Sequence, residues 1–238
     1  MKLLVLAGGF GTRLQSALAG VPKALAPVGT VPFLRVQIES WIDQGIKSFV
    51  FLLHHQADLI IYFLEGERAN PAGLLKACEV SWVVEPSPMG TGGALAYAVG
   101  QQGISGGFLA TNADTWLGTG MREVALAGSP AMAVVRVEDA GRYGSVQYDG
   151  GGLITAFNEK NAGSGAGLIN AGLCHLDAGL FSNWHGEPFS LDVACFPAWA
   201  AQGVLRAVPL QTDFIDIGIP EDYFRFCRWI ESGKIGAL

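Results

Sequence analysis

Short apolar runs alternate with amphipathic segments through the first half of the chain. Runs with the length of buried strands cover residues 3–6, 48–53, 80–84, 108–111 and 131–137. Between them, apolar positions recur at helical spacing and predict helices over residues 33–44, 56–64 and 92–99. Because strand and helix alternate in units of roughly 30 residues, this half is predicted to form a parallel α/β sheet.

The pattern changes after about residue 140. Short strands are predicted over residues 145–148, 153–158 and 168–176, with glycine-rich turns between them, which favours antiparallel or mixed additions to the sheet. A helix over 191–202, a strand over 205–209 and a helix over 220–232 complete the pattern. Because no linker, repeat or low-complexity segment interrupts it, we expect one domain over residues 1–238, with two halves that meet near residue 140.

The composition narrows the classes of protein that fit this pattern. Of the 238 residues, 50% are hydrophobic, which excludes intrinsic disorder, and the 33 glycines follow no G-X-Y period, which excludes collagen. The net charge is −6 and the sequence has no run of Lys and Arg, so a nucleic-acid partner is not expected.

Cysteine spacing and the first residues predict a cytoplasmic protein. The four cysteines are far apart and form no C-x-x-C motif, which argues against a zinc site or a disulfide framework. The apolar run at the start is shorter than a signal-peptide core, and no apolar stretch has the length of a membrane span. We therefore expect reduced thiols and no membrane partner.

The first predicted strand runs directly into a glycine-rich loop. Gly8, Gly9 and Gly11 let the backbone approach a ligand and present its N–H groups, and Arg13 adds a cation with the fork geometry that suits phosphate. A dinucleotide fingerprint would need glycine where Leu14 stands, and no Gly-Lys-Ser/Thr follows as in a P-loop. The loop therefore indicates a third type of phosphate site, with a plain tight turn as the alternative.

Lys23 follows Pro22, whose fixed φ and restriction of the preceding residue stiffen the backbone ahead of the lysine. Taken alone, Lys23 could equally be a solvated surface lysine. Taken together, the loop and this pair resemble the signature of the sugar-1-phosphate nucleotidyltransferases, in the form Gly8-Gly9-x-Gly11-Thr12-Arg13-Leu14 followed by Pro22-Lys23.

Further motifs similar to those of that family follow in order along almost the whole chain. They are Glu85-Pro86, Gly90-Thr91-Gly92-Gly93, Asn112-Ala113-Asp114, Arg142-Tyr143-Gly144, Phe157-Asn158-Glu159-Lys160, Ile169-Asn170-Ala171-Gly172 and Phe214-Ile215-Asp216-Ile217-Gly218. The resemblance implies a Rossmann-like mixed α/β sheet flanked by helices, with a nucleotide-binding half to about residue 140 and a sugar-phosphate half from about 141 to 238.

The resemblance also implies a reaction, in which an NTP and a sugar 1-phosphate give an NDP-sugar and pyrophosphate with Mg²⁺ as cofactor. It implies catalytic roles for Arg13, Lys23 and Lys160, and Mg²⁺ binding by Asp114 and Asp216. Nucleotide binding is implied for Ala7, Gly8, Gly9, Gly11, Thr12, Glu85, Gly90 and Thr91. Binding of the sugar phosphate is implied for Gly144, Glu159 and Asn170.

Several of these residues also have a structural interpretation. Asp114 and Asp216 each follow an apolar run, and neighbouring strands could bring both to one Mg²⁺, but either could instead cap a helix. Glu159 with Lys160 could be a surface charge pair, and Glu85 a strand-end charge. The four histidines show no metal-ligand spacing and are interpreted as structural or exposed.

Within the family, the sequence around the loop is most similar to the D-glycero-α-D-manno-heptose-1-phosphate guanylyltransferases, which implies GTP and that heptose 1-phosphate as substrates. Gln15-Ser16-Ala17 stands where many thymidylyl- and uridylyltransferases have an early proline. Two departures, Ala113 in place of a common glycine and Asp192 in place of a common glutamate, bear on the metal and the sugar.

Other functions stay open at this point. A mannose-1-phosphate guanylyltransferase, or a thymidylyl- or uridylyltransferase, would share most of these motifs. A nucleotide-sugar-dependent glycosyltransferase would share the sheet and a strand-end Asp, but it has no need of Arg13 and Lys23. A regulatory protein that binds sugar nucleotides without catalysis would be expected to have lost Lys23 or an Asp. A homo-oligomer is left open.

Overall fold

The computed structural model describes residues 1–14, 18, 20–158 and 165–235. In these residues the strands are β1 (Leu3–Leu6), β2 (Pro27–Val28), β3 (Val31–Pro32), β4 (Ser48–Leu53), β5 (Glu79–Val84), β6 (Gly107–Asn112), β7 (Thr115–Leu117), β8 (Ala131–Val137), β9 (Ser145–Tyr148), β10 (Ile154–Asn158), β11 (Gly167–Asp177), β12 (Arg206–Pro209) and β13 (Phe214–Asp216). The α-helices are α1 (Phe33–Asp43), α2 (Ala57–Ala69), α3 (Gly90–Gln101), α4 (Met121–Leu126), α5 (Phe196–Ala201) and α6 (Pro220–Glu231). None of these helices is long and apolar enough to cross a membrane.

Nine of the strands form one mixed sheet. β1 lies between β4 and β6 and is parallel to both, and β5 continues the parallel part beyond β4. β11 is antiparallel to β6 on one side and to β8 on the other, and β12 pairs parallel with β8. β9 and β10 extend the sheet from β11. The predicted mixed α/β sheet is therefore confirmed, with helices on both faces.

The structure differs from the predicted elements in the pairing of one strand, in the start of one helix, and in short elements that the pattern did not predict, which are β2, β3, β7, β13 and α4. β8 does not pair with β6, because β11 lies between them, so the parallel series ends at β6. The periodicity of apolar residues indicates burial but does not indicate which strands are neighbours. The position of β11 between β6 and β8 therefore could not be predicted from the pattern. The helix predicted over 191–202 begins instead as a π-helical turn, Leu191–Cys195, and α5 follows with proline in its first turn.

Successive side chains of a strand point to opposite faces of the sheet, and helices cover both faces. Leu3 and Val5 of β1 pack in a core with residues of α1 and α2, including Ile38 and Ile60. Leu4 packs on the other face with residues of α3 and α5. This two-sided burial explains why the central strands read as continuous apolar runs.

A third apolar cluster fastens α6 to the loop side of the sheet. Phe226 of α6 is fully buried, and its ring centroid lies 4.8 Å from that of Phe33 and 5.6 Å from that of Trp116. Ile215 of β13 belongs to the same cluster. α6 therefore supports the short strand β13 from behind.

Replacing Phe226 by alanine should destabilise the fold because the substitution leaves a cavity between α6 and α1. We expect Phe226→Ala to lower the free energy of unfolding by about 3–5 kcal/mol in urea denaturation. Phe224, on the same helix, is 50% exposed, so Phe224→Ala is the matched control and should cost less than about 1 kcal/mol. Equal losses in the two variants would contradict this account of the cluster.

Candidate active site

Three adjoining cavities form a cleft at the carboxyl ends of β1 and β6. The two strands are parallel with Leu6 opposite Asn112, so the loop after β1 and the turn after β6 leave the sheet side by side. Asn112 lines all three cavities, and Asp114 lines two of them. Ligands of open α/β sheets bind at this edge, which is where the sequence placed the glycine-rich loop.

The first cavity, here the lysine cavity, has a volume of about 320 Å³. It is lined by Phe10, Gly11, Thr12, Arg13, Lys23, Asn112, Asp114, Thr115, Asp216 and Gly218. Gly11 has φ +61°, a conformation that L side chains rarely adopt, and a Cβ there would lie 3.4 Å from the Cβ of Lys23. The second half of the predicted loop, Lys23 and both predicted carboxylates therefore face one space.

Lys23 forms an ion pair with Asp114 across the lysine cavity. The Lys23 Nζ donates to Asp114 Oδ2 at 2.7 Å, and the Lys23 side chain is only 20% exposed, so it is not a solvated surface lysine. Pro22, with φ −55° and ψ 137°, leads into a single 3-10 turn over Lys23–Leu25. This fixed approach aims the ammonium group at the cleft, where it can also meet an anionic ligand.

Asp216 reaches the same place through the pairing of β7 with β13. Asp216 lies opposite Thr115 in that pair, and the Ile217 N–H donates to the carbonyl oxygen of Asp114 at 2.9 Å. Neither carboxylate caps a helix, because β7 follows Asp114 and the cap position of α6 is Ile219. The helix-cap interpretation of both residues is therefore wrong.

Burial raises the pKa of Asp216, and the negative charge of Asp114 raises it further. Lys23 and the N–H of Gly218, which donates to Asp216 Oδ1 at 2.7 Å, act in the opposite direction. A cation beside both carboxylates would relieve this repulsion. The described residues contain no group of three or more His, Cys, Asp or Glu side chains arranged to hold a metal. Two carboxylates fit an ion that takes its other ligands from phosphate and water.

The second cavity, here the glutamate cavity, has a volume of about 460 Å³ and lies beyond Gly8 and Gly9. Glu85 is 8% exposed, and its Oε2 accepts from the Met89 N–H at 3.0 Å. Burial raises the pKa of Glu85, while the Met89 N–H and His54 lower it. A Cβ at position 8 would lie 3.0 Å from Glu85 Oε1, so glycine there keeps the carboxylate accessible.

The glycines at 90–93 have a packing role as well as a place at the cleft. A Cβ on Gly92 would lie 2.1 Å from the Phe189 ring, and the N–H groups of Gly92 and Gly93 donate to the Phe189 carbonyl oxygen. The Thr91 hydroxyl accepts from the Leu191 N–H at 2.9 Å. Gly90 and Thr91 also line the glutamate cavity, so this helix start serves both the cavity wall and the contact with residues 189–191.

The third cavity, here the asparagine cavity, has a volume of about 100 Å³ and contains the predicted Gly144 and Asn170. The Asn170 Nδ2 donates to Asp192 Oδ1 at 3.3 Å, and its Oδ1 accepts from the Gly172 N–H at 3.0 Å. Tyr143 lines the same cavity, and burial raises its pKa to about 12. The cavity therefore offers hydroxyl and amide groups together with the carboxylates of Asp192 and Asp216, which also line it.

Among the predicted site residues that the structure describes, Ala7 does not line these cavities, and two further predicted residues fall outside the described part of the chain. These two are Glu159 and Lys160. The Ala7 N–H donates to the Leu52 carbonyl oxygen at 2.9 Å, which continues the pairing of β1 with β4.

Sequence reasoning did not single out His54 or Phe10 as cleft residues. His54 Nδ1 lies 3.2 Å from the Glu85 carbonyl oxygen, and the Phe10 ring packs edge-on against the His54 ring with centroids 5.8 Å apart. His54 directly follows β4, so the rule that ligands bind at the carboxyl ends of parallel strands could have found it. Phe10 stands at the variable position of the loop motif, where spacing carries no signal.

Comparison with known proteins is consistent with this cleft. Residues 2–232 match the family described as nucleotidyl transferase. The chain is 30% identical over 228 residues to the D-glycero-alpha-D-manno-heptose 1-phosphate guanylyltransferase of Campylobacter jejuni, covering 95% of this chain and 98% of that protein. It is 29% identical to the mannose-1-phosphate guanylyltransferase catalytic subunit beta of Drosophila pseudoobscura, but spans only 63% of that protein's length.

Solved structures show the same relationship. HddC from Yersinia pseudotuberculosis has a TM-score of 0.81 and 33% identity, with 95% of this chain and 98% of that chain covered. The same protein has also been solved in a complex with GMP-PN, with a TM-score of 0.80 and 32% identity. A UDP-glucose pyrophosphorylase with a TM-score of 0.80 is 18% identical and supports the fold alone. This chain therefore belongs to the nucleotidyl transferase family.

Proposed function

We propose that this protein transfers a guanylyl group from GTP to D-glycero-α-D-manno-heptose 1-phosphate and releases pyrophosphate. The main support is the arrangement of the cleft. Lys23 and two carboxylates line the lysine cavity, which adjoins the glutamate cavity with its buried carboxylate and the polar asparagine cavity. The name of the Campylobacter jejuni relative, which aligns over 98% of its length, supports the choice of heptose. Mannose 1-phosphate is the second candidate sugar, because several relatives are named for it.

The chemistry proposed is in-line displacement at the α-phosphorus of the nucleotide. An oxygen of the sugar phosphate forms a bond to that phosphorus, the bond to the bridging oxygen breaks, and the electron pair leaves with pyrophosphate. The attacking oxygen is already anionic, so no general base is required. The work left to the protein is to position two anions that repel each other and to neutralise their charge.

The chain has separate groups for each part of this task. Gly9, Gly11 and Arg13 would hold the β- and γ-phosphates through backbone N–H groups and the guanidinium. Lys23 would neutralise the α-phosphate, since its ammonium already lies 2.7 Å from Asp114 at that edge. Lys160 would hold the sugar phosphate, and Asn170 would donate to sugar hydroxyl groups.

Mg²⁺ is the proposed cofactor, held by Asp114 and Asp216. Two carboxylates in one polar cavity match the protein ligands that Mg²⁺ takes when phosphate oxygens complete its coordination. When bound, it supplies positive charge that stabilises the phosphate oxygens during displacement.

Glu85 supports guanine as the base. A carboxylate only accepts hydrogen bonds, and the Watson–Crick edge of guanine carries neighbouring N1–H and N2–H donors. Uracil and thymine present one N–H between two carbonyl oxygens, which would face a carboxylate unfavourably. Donors from guanine would also offset the burial that raises the pKa of Glu85.

A pyrophosphate-release assay with the common NTPs against a panel of sugar 1-phosphates tests the proposal directly. Release with GTP and the heptose phosphate at the highest kcat/KM is the expected result. A higher value with mannose 1-phosphate would select the second candidate. Absence of pyrophosphate with every pair would favour a protein that binds sugar nucleotides without catalysis.

Replacing Lys23 by methionine should impair turnover because the α-phosphate loses its nearest cation. We expect Lys23→Met to lower kcat by about 10²–10³ with the fold intact, as for loss of one preorganised electrostatic group. Lys2→Met is the matched control, because that side chain is 46% exposed and contacts Ser48 and Glu79 away from the cleft. Steady-state kinetics with near wild-type turnover in Lys23→Met would show that the assigned role is wrong.

Replacing Glu85 by glutamine should weaken the preference for GTP over UTP, because an amide cannot accept from both guanine donors. We expect Glu85→Gln to lower kcat/KM for GTP by about 10–100-fold and to change the value for UTP much less. Glu79→Gln is the control, since Glu79 begins β5, the strand that ends just before Glu85, and its side chain is 80% exposed. If the ratio of the GTP and UTP values does not change, Glu85 does not select the base.

A further inference from the structure

Gln37 is a buried polar residue of α1 whose side chain reaches the cleft from behind. It is 1% exposed. Its Nε2 donates to the carbonyl oxygen of Thr115 at 2.8 Å and to that of Asn112 at 3.3 Å. These two carbonyl groups flank the dipeptide Ala113-Asp114, so one amide spans the turn that carries the carboxylate.

The orientation of this amide is dictated by its neighbours. Both contacts are carbonyl oxygens, which only accept, so the nitrogen must face them. The consequence is that Gln37 Oε1 is buried without a hydrogen-bond partner among the described residues. A buried acceptor without a partner is unfavourable, so Gln37 keeps its two hydrogen bonds to the turn at the cost of this unpaired oxygen.

Other hydrogen bonds also restrain this turn. The Thr115 hydroxyl donates to Asp114 Oδ1 at 3.2 Å, and two further contacts hold the backbone. The Ala113 N–H donates to the Leu6 carbonyl oxygen, and the Asp114 carbonyl oxygen accepts from Ile217. Both contacts fix the backbone from the cleft side, through β1 and β13. Gln37 supplies contacts from the opposite side, through α1.

We propose that Gln37 is a positioning residue, which fixes the Asp114 turn so that its carboxylate points at Lys23 and at the site proposed for Mg²⁺. This inference rests on the proposed function. Gln37 does not line any of the three cavities, so it acts through Asp114 and makes no contact with substrate.

Gln44, the residue that directly follows α1, provides a comparison within the same chain. Its Nε2 donates to the Gly118 carbonyl oxygen at 3.4 Å, and its Oε1 accepts from the Met121 N–H at 3.2 Å. Both glutamines thus join α1 to the segment that follows β6, but only Gln37 contacts the turn with Asp114. If Gln37 is only structural, replacing either glutamine should have similar effects. If Gln37 positions Asp114, only its replacement should affect catalysis.

The test compares Gln37→Met with Gln44→Met, because methionine keeps the length of the side chain and removes its hydrogen bonds. With GTP and the sugar phosphate, we expect Gln37→Met to lower kcat by about 10–100-fold, the scale of a misplaced catalytic group, with KM for GTP unchanged. Gln44→Met should keep the wild-type kcat. Binding of Mn²⁺ in the presence of a non-hydrolysable GTP analogue, followed by electron paramagnetic resonance, should weaken only in Gln37→Met.

Wild-type kcat and wild-type Mn²⁺ binding in Gln37→Met, or equal losses in both variants, would overturn the proposal. If Gln37→Met does not fold, NMR of the wild-type protein provides the second measurement. There the side-chain amide protons of Gln37 should exchange slowly with solvent, and exchange at the rate of an exposed glutamine would overturn the proposal. This measurement does not need turnover, so it separates a failure of the inference from a failure of the proposed function.

Discussion

The arrangement of the cleft depends on holding two carboxylates, Asp114 and Asp216, at one side of a partly buried cavity. Burial and the charge of Asp114 both raise the pKa of Asp216, so placing the two ionised carboxylates close together is unfavourable by itself. The Lys23 ammonium offsets part of this repulsion. The pairing of β7 with β13 sets Asp216 opposite Thr115 and so keeps it close to Asp114. α6 then supports β13 through the buried ring of Phe226.

The chain is acidic and only 15% of its residues are charged. In the proposed function it holds two anionic substrates with a small number of cations placed at the cleft. Part of the anion binding is assigned to backbone N–H groups, which carry no net charge. The glycines serve different purposes at each position. Gly11 adopts a left-handed conformation, Gly8 leaves space for the Glu85 carboxylate, and Gly92 packs against the Phe189 ring. Many other glycines, such as Gly45 and Gly103, have a positive φ and open space around them, so turns account for a further part of the glycine excess.

The pattern of apolar residues in the sequence predicted the central strands well. β1 and β4 match their predicted bounds, because each is a continuous apolar run ended by a polar or glycine-rich segment. The strands that bring the two carboxylates together, β7 and β13, have only three residues each, too few to show a period. The position of β11 beside β6 depends on pairing between distant segments, which local patterns do not report.

The site residues were expected from the resemblance of the motifs to those of the family, and the motifs did not indicate the residue that supports the Asp114 turn from α1. Gln37 reads as an ordinary polar position in an amphipathic helix, and only its burial shows that it faces the Asp114 turn. Asp192 illustrates the same limit from the front of the cleft. It lines both the glutamate and asparagine cavities and accepts from Asn170, so the length of that side chain sets the space between the two cavities. In the proposed function, phosphate chemistry would rest on the loops after β1 and β6, and sugar choice on β11 and the turn that carries Asp192.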